Sequence, residues 1–408
     1  MPELLAPAGD LEKLEWAMAY GADAVYFGMK DFSLRSYAGN FTIDDAKKGI
    51  NLLHSKGKKA YVTLNIYPYS EEYDDLISLA KELEKLEVDA FIVSDLGLID
   101  CILKAKIKTP LHISTQANTM NYQTALFYKE LGVKRVNLAR ELSLDKIKNI
   151  QQKLNGKIET EVFIHGAVCF SYSGRCAISD YMTGRKANRG ECTHPCRWNY
   201  YLMEETRDGE FYPVFEDNRG LYLFNSKDLA LFPFVPDLIK SGVESFKIEG
   251  RMKTIHYIAS VVSLYRKVID GEDMSVEEGF SLLSRVSNRG YSYGFMKGGI
   301  TIDDYSQGEN KNSSTSIFVA NQIKKENSSI SLSNDSAVQN GTIFRVRNKI
   351  HGGDVLESLS PDGHIREITI PNKILKTDGT TTNIVQNEEQ IILPYKLSDY
   401  SILRRPNV

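Results

Sequence analysis

Four cysteines crowd into one stretch of this chain. Cys169, Cys176, Cys192 and Cys196 are separated by six, fifteen and three residues, while the fifth, Cys101, stands apart. Thiolates are soft ligands, and four on one connection can close around a single metal centre. Buried structural thiols are the plain alternative, because unpaired Cys is among the most buried residue types. The crowding favours ligation, and in a cytosolic chain it points to metal or redox chemistry before disulfides. Zinc accepts four thiolates too, typically from pairs about two to four residues apart. Only Cys192 with Cys196 is spaced that way. The looser first pair suits a 4Fe-4S cluster that exchanges electrons, with zinc as the alternative.

His165 and His194 flank the cysteines, and either could be a ligand or a proton donor, although a structural role is commoner for a lone His. The segment from Arg185 to Tyr201 sets Arg185, Lys186, Arg189 and Arg197 against Glu191, interleaved with Trp198, Tyr200 and Tyr201. Positive charge beside stacking rings suits single-stranded RNA, and a solvated basic loop is the alternative. Arg35, in the run FSLRSYAGNF from Phe32 to Phe41, and Arg251 could clamp an anionic substrate, since guanidinium meets carboxylate in a two-pronged fit. Either could equally be a surface ion-pair partner. Protease signatures are poor: there is no HExxH helix, and Gly290, Ser292 and Gly294 match GxSxG without the strand-to-helix elbow that pattern needs.

These residues need a scaffold, and the first 260 positions supply a repeating one. Runs from Glu3 to Pro7, Ala24 to Gly28, Lys59 to Asn65, Asp89 to Asp95, Leu111 to Gln116, Arg135 to Leu138, Thr160 to His165 and Ser245 to Glu249 read as strands. Between them lie amphipathic stretches such as Leu11 to Tyr20, Ile43 to Ser55, Tyr73 to Leu86, Tyr122 to Leu131 and Leu144 to Leu154. Alternating strand and helix implies a parallel sheet. Eight units, with no GxGxxG turn, favour an α/β fold of the closed (β/α)8 type over an open doubly wound sheet. Its active face then gathers Asn65, Asp95, Gln116, Asn118, Arg140, Glu141, His165, Glu249 and Arg251 at the C-terminal strand ends.

The expected organisation is a barrel over residues 1–305 with a Cys-rich insertion at 166–240 that includes a small β-element, a linker at 306–315, and a C-terminal all-β domain over 316–408. Apolar residues make up 42% and charged residues 25%, ordinary globular usage that needs no disulfide staples. A net charge of -3 gives no long-range pull toward nucleic acid, so any such contact must be a local patch. The chain opens without a basic, apolar leader and holds no run of the roughly 20 apolar residues that cross a bilayer. A cytoplasmic protein without membrane attachment is the expectation.

The order EVFIHGAVCFSYSGRCAIS, with Glu161, Phe163, Gly166, Cys169, Gly174, Cys176 and Ser179, resembles the signature of the peptidase U32 family. LAPAGD at 5–10, GADAVYFG at 21–28, KIEGRMK at 247–253 and NRGYSYGF at 288–295 extend the likeness over essentially the whole chain. The family is named for collagenase-like peptidases, yet several members resemble oxygen-independent hydroxylases with 4Fe-4S clusters. One barrel with a final β-domain looks most like the tRNA-hydroxylating branch. That resemblance implies 5-hydroxyuridine at the wobble position, tRNA as partner, prephenate as co-substrate, and Cys169, Cys176, Cys192 and Cys196 as cluster ligands. Arg35, Glu249, Arg251 and His165 are the expected catalytic group, and Arg185, Lys186, Arg189, Arg197 and Trp198 the RNA contacts. An electron-donor protein and assembly as a homo-oligomer or paralogue heteromer are further expectations. A collagenase-like peptidase and an RNA-binding scaffold with a structural metal are the competing readings.

Overall fold

A computed structural model of the chain describes residues 1–30, 39–169, 171–198, 215–217, 220–222, 226–300, 304, 313–323 and 341–407. Eight parallel strands close into a barrel: β1 (Glu3–Pro7), β2 (Ala24–Gly28), β3 (Lys59–Leu64), β4 (Ala90–Val93), β5 (Leu111–Ile113), β6 (Arg135–Asn137), β7 (Glu159–Ala167) and β8 (Ser245–Ile248). Neighbours pair in sequence order, and β8 closes the ring by pairing with β1 and β7, so that Ser245 lies opposite both Glu3 and Glu161. The strands are buried on both faces, as expected of parallel strands jacketed by helices.

Around them run α1 (Leu11–Ala19), α2 (Ile43–Ser55), α3 (Tyr73–Lys85), α4 (Leu96–Lys104), α5 (Tyr122–Glu130) and α6 (Leu144–Leu154), then, beyond β7, α7 (Ile178–Thr183), α8 (Val235–Ser241), α9 (Ile255–Ile269) and α10 (Val276–Ser284). Side-chain caps mark several starts: Asp10, Asp95, Asn121, Ser143 and Thr254 each accept an N–H from the first turn, and Thr42 with Asp45 forms a reciprocal capping box. Among the described residues no helix is long and apolar enough to cross a membrane.

Two short strands lengthen the barrel sheet beside β7. Asp228–Ala230 runs antiparallel to its end, Asp228 opposite Ala167, and Tyr291–Ser292 lies parallel to Asp228–Ala230. The NRGYSYGF segment, whose pattern predicts only irregular chain, therefore belongs to the barrel wall. Buried Asp228 and Arg289 form an ion pair there.

A second, eight-stranded antiparallel sheet is built from the C-terminal part, with Ser316–Gln322 between Thr342–Val346 and Ile402–Pro406. Its apolar side holds Val319, Phe344, Leu356, Leu393 and Leu403. It is seated on the barrel: the Tyr20 hydroxyl lies 3.0 Å from the Leu359 carbonyl and 2.9 Å from that of Tyr400, and Ile402 joins the barrel's core. Residues 199–214 of the expected insertion, 306–312 of the expected linker and 324–340 of the expected all-β domain lie outside the described residues. In the small β-element of the insertion, Phe215–Asp217 and Gly220–Tyr222 pair antiparallel.

Candidate active site at the barrel mouth

Beyond the C-terminal ends of β3, β5, β6, β7 and β8 opens a cavity of about 350 Å³. Asn65, Gln116, Arg140, Lys247, Glu249 and Arg251 all line it. All four clustered cysteines line the same cavity, and none of them is disulfide-bonded.

Local hydrogen bonds set the cysteine segment. The Asn188 side chain brackets Cys176, accepting its N–H and donating to its carbonyl, both at 3.2 Å. Ser179 stitches that turn to the next cysteines by accepting the Thr193 N–H at 3.1 Å. The Cys176 sulfur accepts the Ile178 N–H, and the Cys192 sulfur the His194 N–H, each at 3.4 Å. Thiolate is the form that binds metal. Among the described residues no three His, Cys, Asp or Glu side chains converge as a formed ion site. The fit to a cluster thus rests on donor chemistry and a shared cavity.

The segment is strapped to the barrel rim. Ser173 gives its N–H to Glu141 at 2.5 Å and its hydroxyl to Asn118 at 2.9 Å. Arg175 donates to the Tyr67 hydroxyl at 3.0 Å and the Gln116 carbonyl at 2.8 Å. Arg189 pairs with Glu72 and lies 4.3 Å over the Tyr69 ring, while Lys186 reaches the Tyr69 hydroxyl at 2.5 Å. Two residues expected to meet RNA are therefore engaged by the rim. Arg185 is exposed and Trp198 half-buried; the Arg197 side chain, with Tyr200 and Tyr201, lies outside the described residues. Two exposed rings that the sequence reading did not single out, Tyr172 and Tyr181, stand on this segment at 53% and 88% exposure. An aromatic within a polar helical turn was the available signal.

Of the expected catalytic group, Arg251 is buried at the cavity and donates to the Thr63 hydroxyl at 3.2 Å. A Cβ on Gly9 would stand 2.2 Å from the Arg251 carbonyl, so LAPAGD and KIEGRMK meet only through a glycine. Glu249 is half-buried on the cavity, its carbonyl accepting from Tyr257 at 2.8 Å. Arg35 lies outside the described residues.

His165 is placed elsewhere. Between Lys247 and Ile248 of β8 the pairing with β7 slips from Phe163 to His165, a bulge that re-aims the side chain. The ring sits among Tyr257, Tyr265 and Tyr291, with Nδ1 at 3.3 Å from the Tyr265 hydroxyl. Burial pushes its pKa down to about 3, so it stays neutral in a core setting. Ser292 does line the cavity, but its hydroxyl accepts the Gly294 N–H at 3.1 Å within its own turn.

The profile of a family described as "Peptidase family U32" matches residues 9–303. The chain is 38% identical over 397 residues to "tRNA hydroxylation protein P1" of Bacillus subtilis, covering 96% of this chain and 91% of that protein. It is 37% identical over 406 residues to "tRNA hydroxylation protein P" of Escherichia coli, with 89% and 87% covered. Identity to a "Collagenase" of Porphyromonas gingivalis is 31% over 312 residues, with 72% and 73% covered.

Proposed function

The chain belongs to peptidase family U32, and from that premise we propose that it is a tRNA-modifying enzyme that hydroxylates uridine at the wobble position, using a 4Fe-4S cluster and prephenate. The observation that carries this reading is the gathering of Cys169, Cys176, Cys192 and Cys196 on one cavity that buried Lys247 and Arg251 also line. A hydrolase has no need of four thiols there. Similarity to the hydroxylation proteins runs through both the barrel and the C-terminal sheet, whereas that to the collagenase covers a smaller share of the chain.

In this reading the four cysteines hold the cluster, which when bound supplies electron transfer; zinc is the other outcome of a metal assay. The chain's own residues do the rest. The rim straps fix the cysteine segment against β3, β5 and β6, so the ligands and the cavity floor keep one geometry. Arg251 and Lys247 offer charge to the carboxylates of prephenate. Exposed Tyr172, Tyr181 and Arg185 suit an unpaired nucleotide, whose base edges are readable only when unstacked. An anticodon loop presents such a base without melting a duplex.

The test is genetic and chemical. The gene is deleted, total tRNA digested, and 5-hydroxyuridine derivatives quantified by mass spectrometry, with complementation by wild type, Arg197→Ala and Cys192→Ala. Loss in the deletion strain and rescue by wild type alone are expected. Persistence of the modification, with no second homologue present, would overturn the assignment.

A further inference from the structure

The barrel lumen carries a row of alternating charges. Near its N-terminal end Glu3 accepts from Arg135 at 2.5 Å and from the Tyr61 hydroxyl at 2.7 Å. Arg135 stands 3.6 Å from Glu161, and Glu161 accepts from Lys247 at 2.9 Å. Asn137 donates to Glu161 at 2.6 Å, and the Ser245 hydroxyl reaches Glu3 and Glu161 at 3.2 Å each. The four charged side chains are 3–9% exposed. Burying so many charges costs several kcal/mol per ion before pairing, so a barrel filled with aliphatic side chains would be the cheaper core.

The row ends at the cavity, and its last member is the least satisfied. An ammonium has three N–H donors. Among the described residues Glu161 is the oxygen that Lys247 bonds, and its other neighbours are rings: Tyr26 at 4.6 Å and Phe163 at 5.4 Å. Lys247 nevertheless lines the cavity. Arg140 lies 3.9 Å over the same Phe163 ring, so two cations share one aromatic wall. Burial draws the Lys247 pKa down, and the Glu161 carboxylate opposes that pull.

We propose that Lys247 is the cation that seats a small carboxylate ligand on the cavity floor, and that Glu3, Arg135 and Glu161 are the positioning row that aims its ammonium. The inference rests on the reading above, in which the site takes an anionic co-substrate, and it names the residues that hold it. A compact ammonium with donors left over offers a carboxylate a point charge and hydrogen bonds, and the Tyr26 and Phe163 rings suit one carried on a cyclic or short apolar body.

The experiment uses the full chain and calorimetric titration with prephenate, and with malonate as a ringless probe. Filter binding of tRNA and thermal melting are run beside it. Wild type should bind prephenate, Lys247→Met should weaken it about tenfold or more, and Lys247→Arg should restore part of the loss, all with tRNA affinity unchanged. Glu161→Gln should weaken prephenate binding in the same direction and by less. If Lys247→Met melts early, the Glu161→Gln, Lys247→Met double variant, which removes both charges, replaces it. Prephenate binding by that variant within about twofold of wild type overturns the proposal. So does a wild type that binds neither carboxylate; the 5-hydroxyuridine measurement then tells whether the tRNA reading survives without this floor.

Discussion

Arg189 closes on Glu72 as a fork, one guanidinium nitrogen on each carboxylate oxygen, and so joins the cysteine segment to the connection that follows β3. The hydrogen bond from Arg189 is the main reason that the Glu72 carboxyl is held below its usual value of 4.5. A lowered folded-state value stabilises above the unfolded value and is lost as pH falls through the lowered one. Both side chains are about one-fifth exposed, so roughly 1 kcal/mol is at stake. Glu72→Gln should therefore lower the melting temperature near neutral pH, with the gap to wild type closing in acid. A gap independent of pH would contradict this.

Each of the four clustered cysteines should be needed for metal and Cys101 should not. Cys101 sits on α4, away from the cavity wall. Single Cys→Ala variants, purified without oxygen, are compared for iron, acid-labile sulfide and visible absorption. Loss in the four and retention in Cys101→Ala is the expected pattern. A colourless wild type holding one zinc would sink the cluster.

Gly166 follows the bulge in β7 at φ +111°, and a Cβ there would come within 2.6 Å of the Glu249 carbonyl. Gly166→Ala should cost about 2 kcal/mol through backbone strain, and more if Glu249 cannot yield. Denaturant titration reads the first effect. The second should appear as weaker hydroxylation, because the displaced backbone is that of a cavity residue.

Peptide hydrolysis should be absent or incidental. Cluster-loaded protein is assayed on gelatin and collagen beside Cys169→Ala and Ser292→Ala. Strong cleavage by wild type, abolished by either substitution, would reverse the ranking of hydroxylase over peptidase.

The barrel was legible because its strand and helix periods are clean: the eight runs expected from the sequence overlap the eight barrel strands, with ends shifted by at most three residues. The four cysteines were legible as a group for a similar reason, since they share one connection. What sequence reading missed depends on pairing between distant strands. Glu3, Arg135 and Glu161 look like ordinary surface charges until closure brings three strands around one lumen. His165 was expected at the mouth because it ends the seventh run, and a single bulge in the pairing with β8 re-aims it. α8, at seven residues, is too short for a helical period to show, and the Glu72 strap joins residues more than a hundred positions apart.

The closure of β8 onto β7 has a consequence for how this chain reaches its folded state. The connection that carries the cysteines leaves at one strand and returns at its neighbour. Closing a flexible loop becomes costlier only slowly with length, by about 0.6 kcal/mol for each doubling. The barrel can therefore lock while that excursion is still unsettled. Scaffold formation and the arrangement of the four thiols become separable events in time.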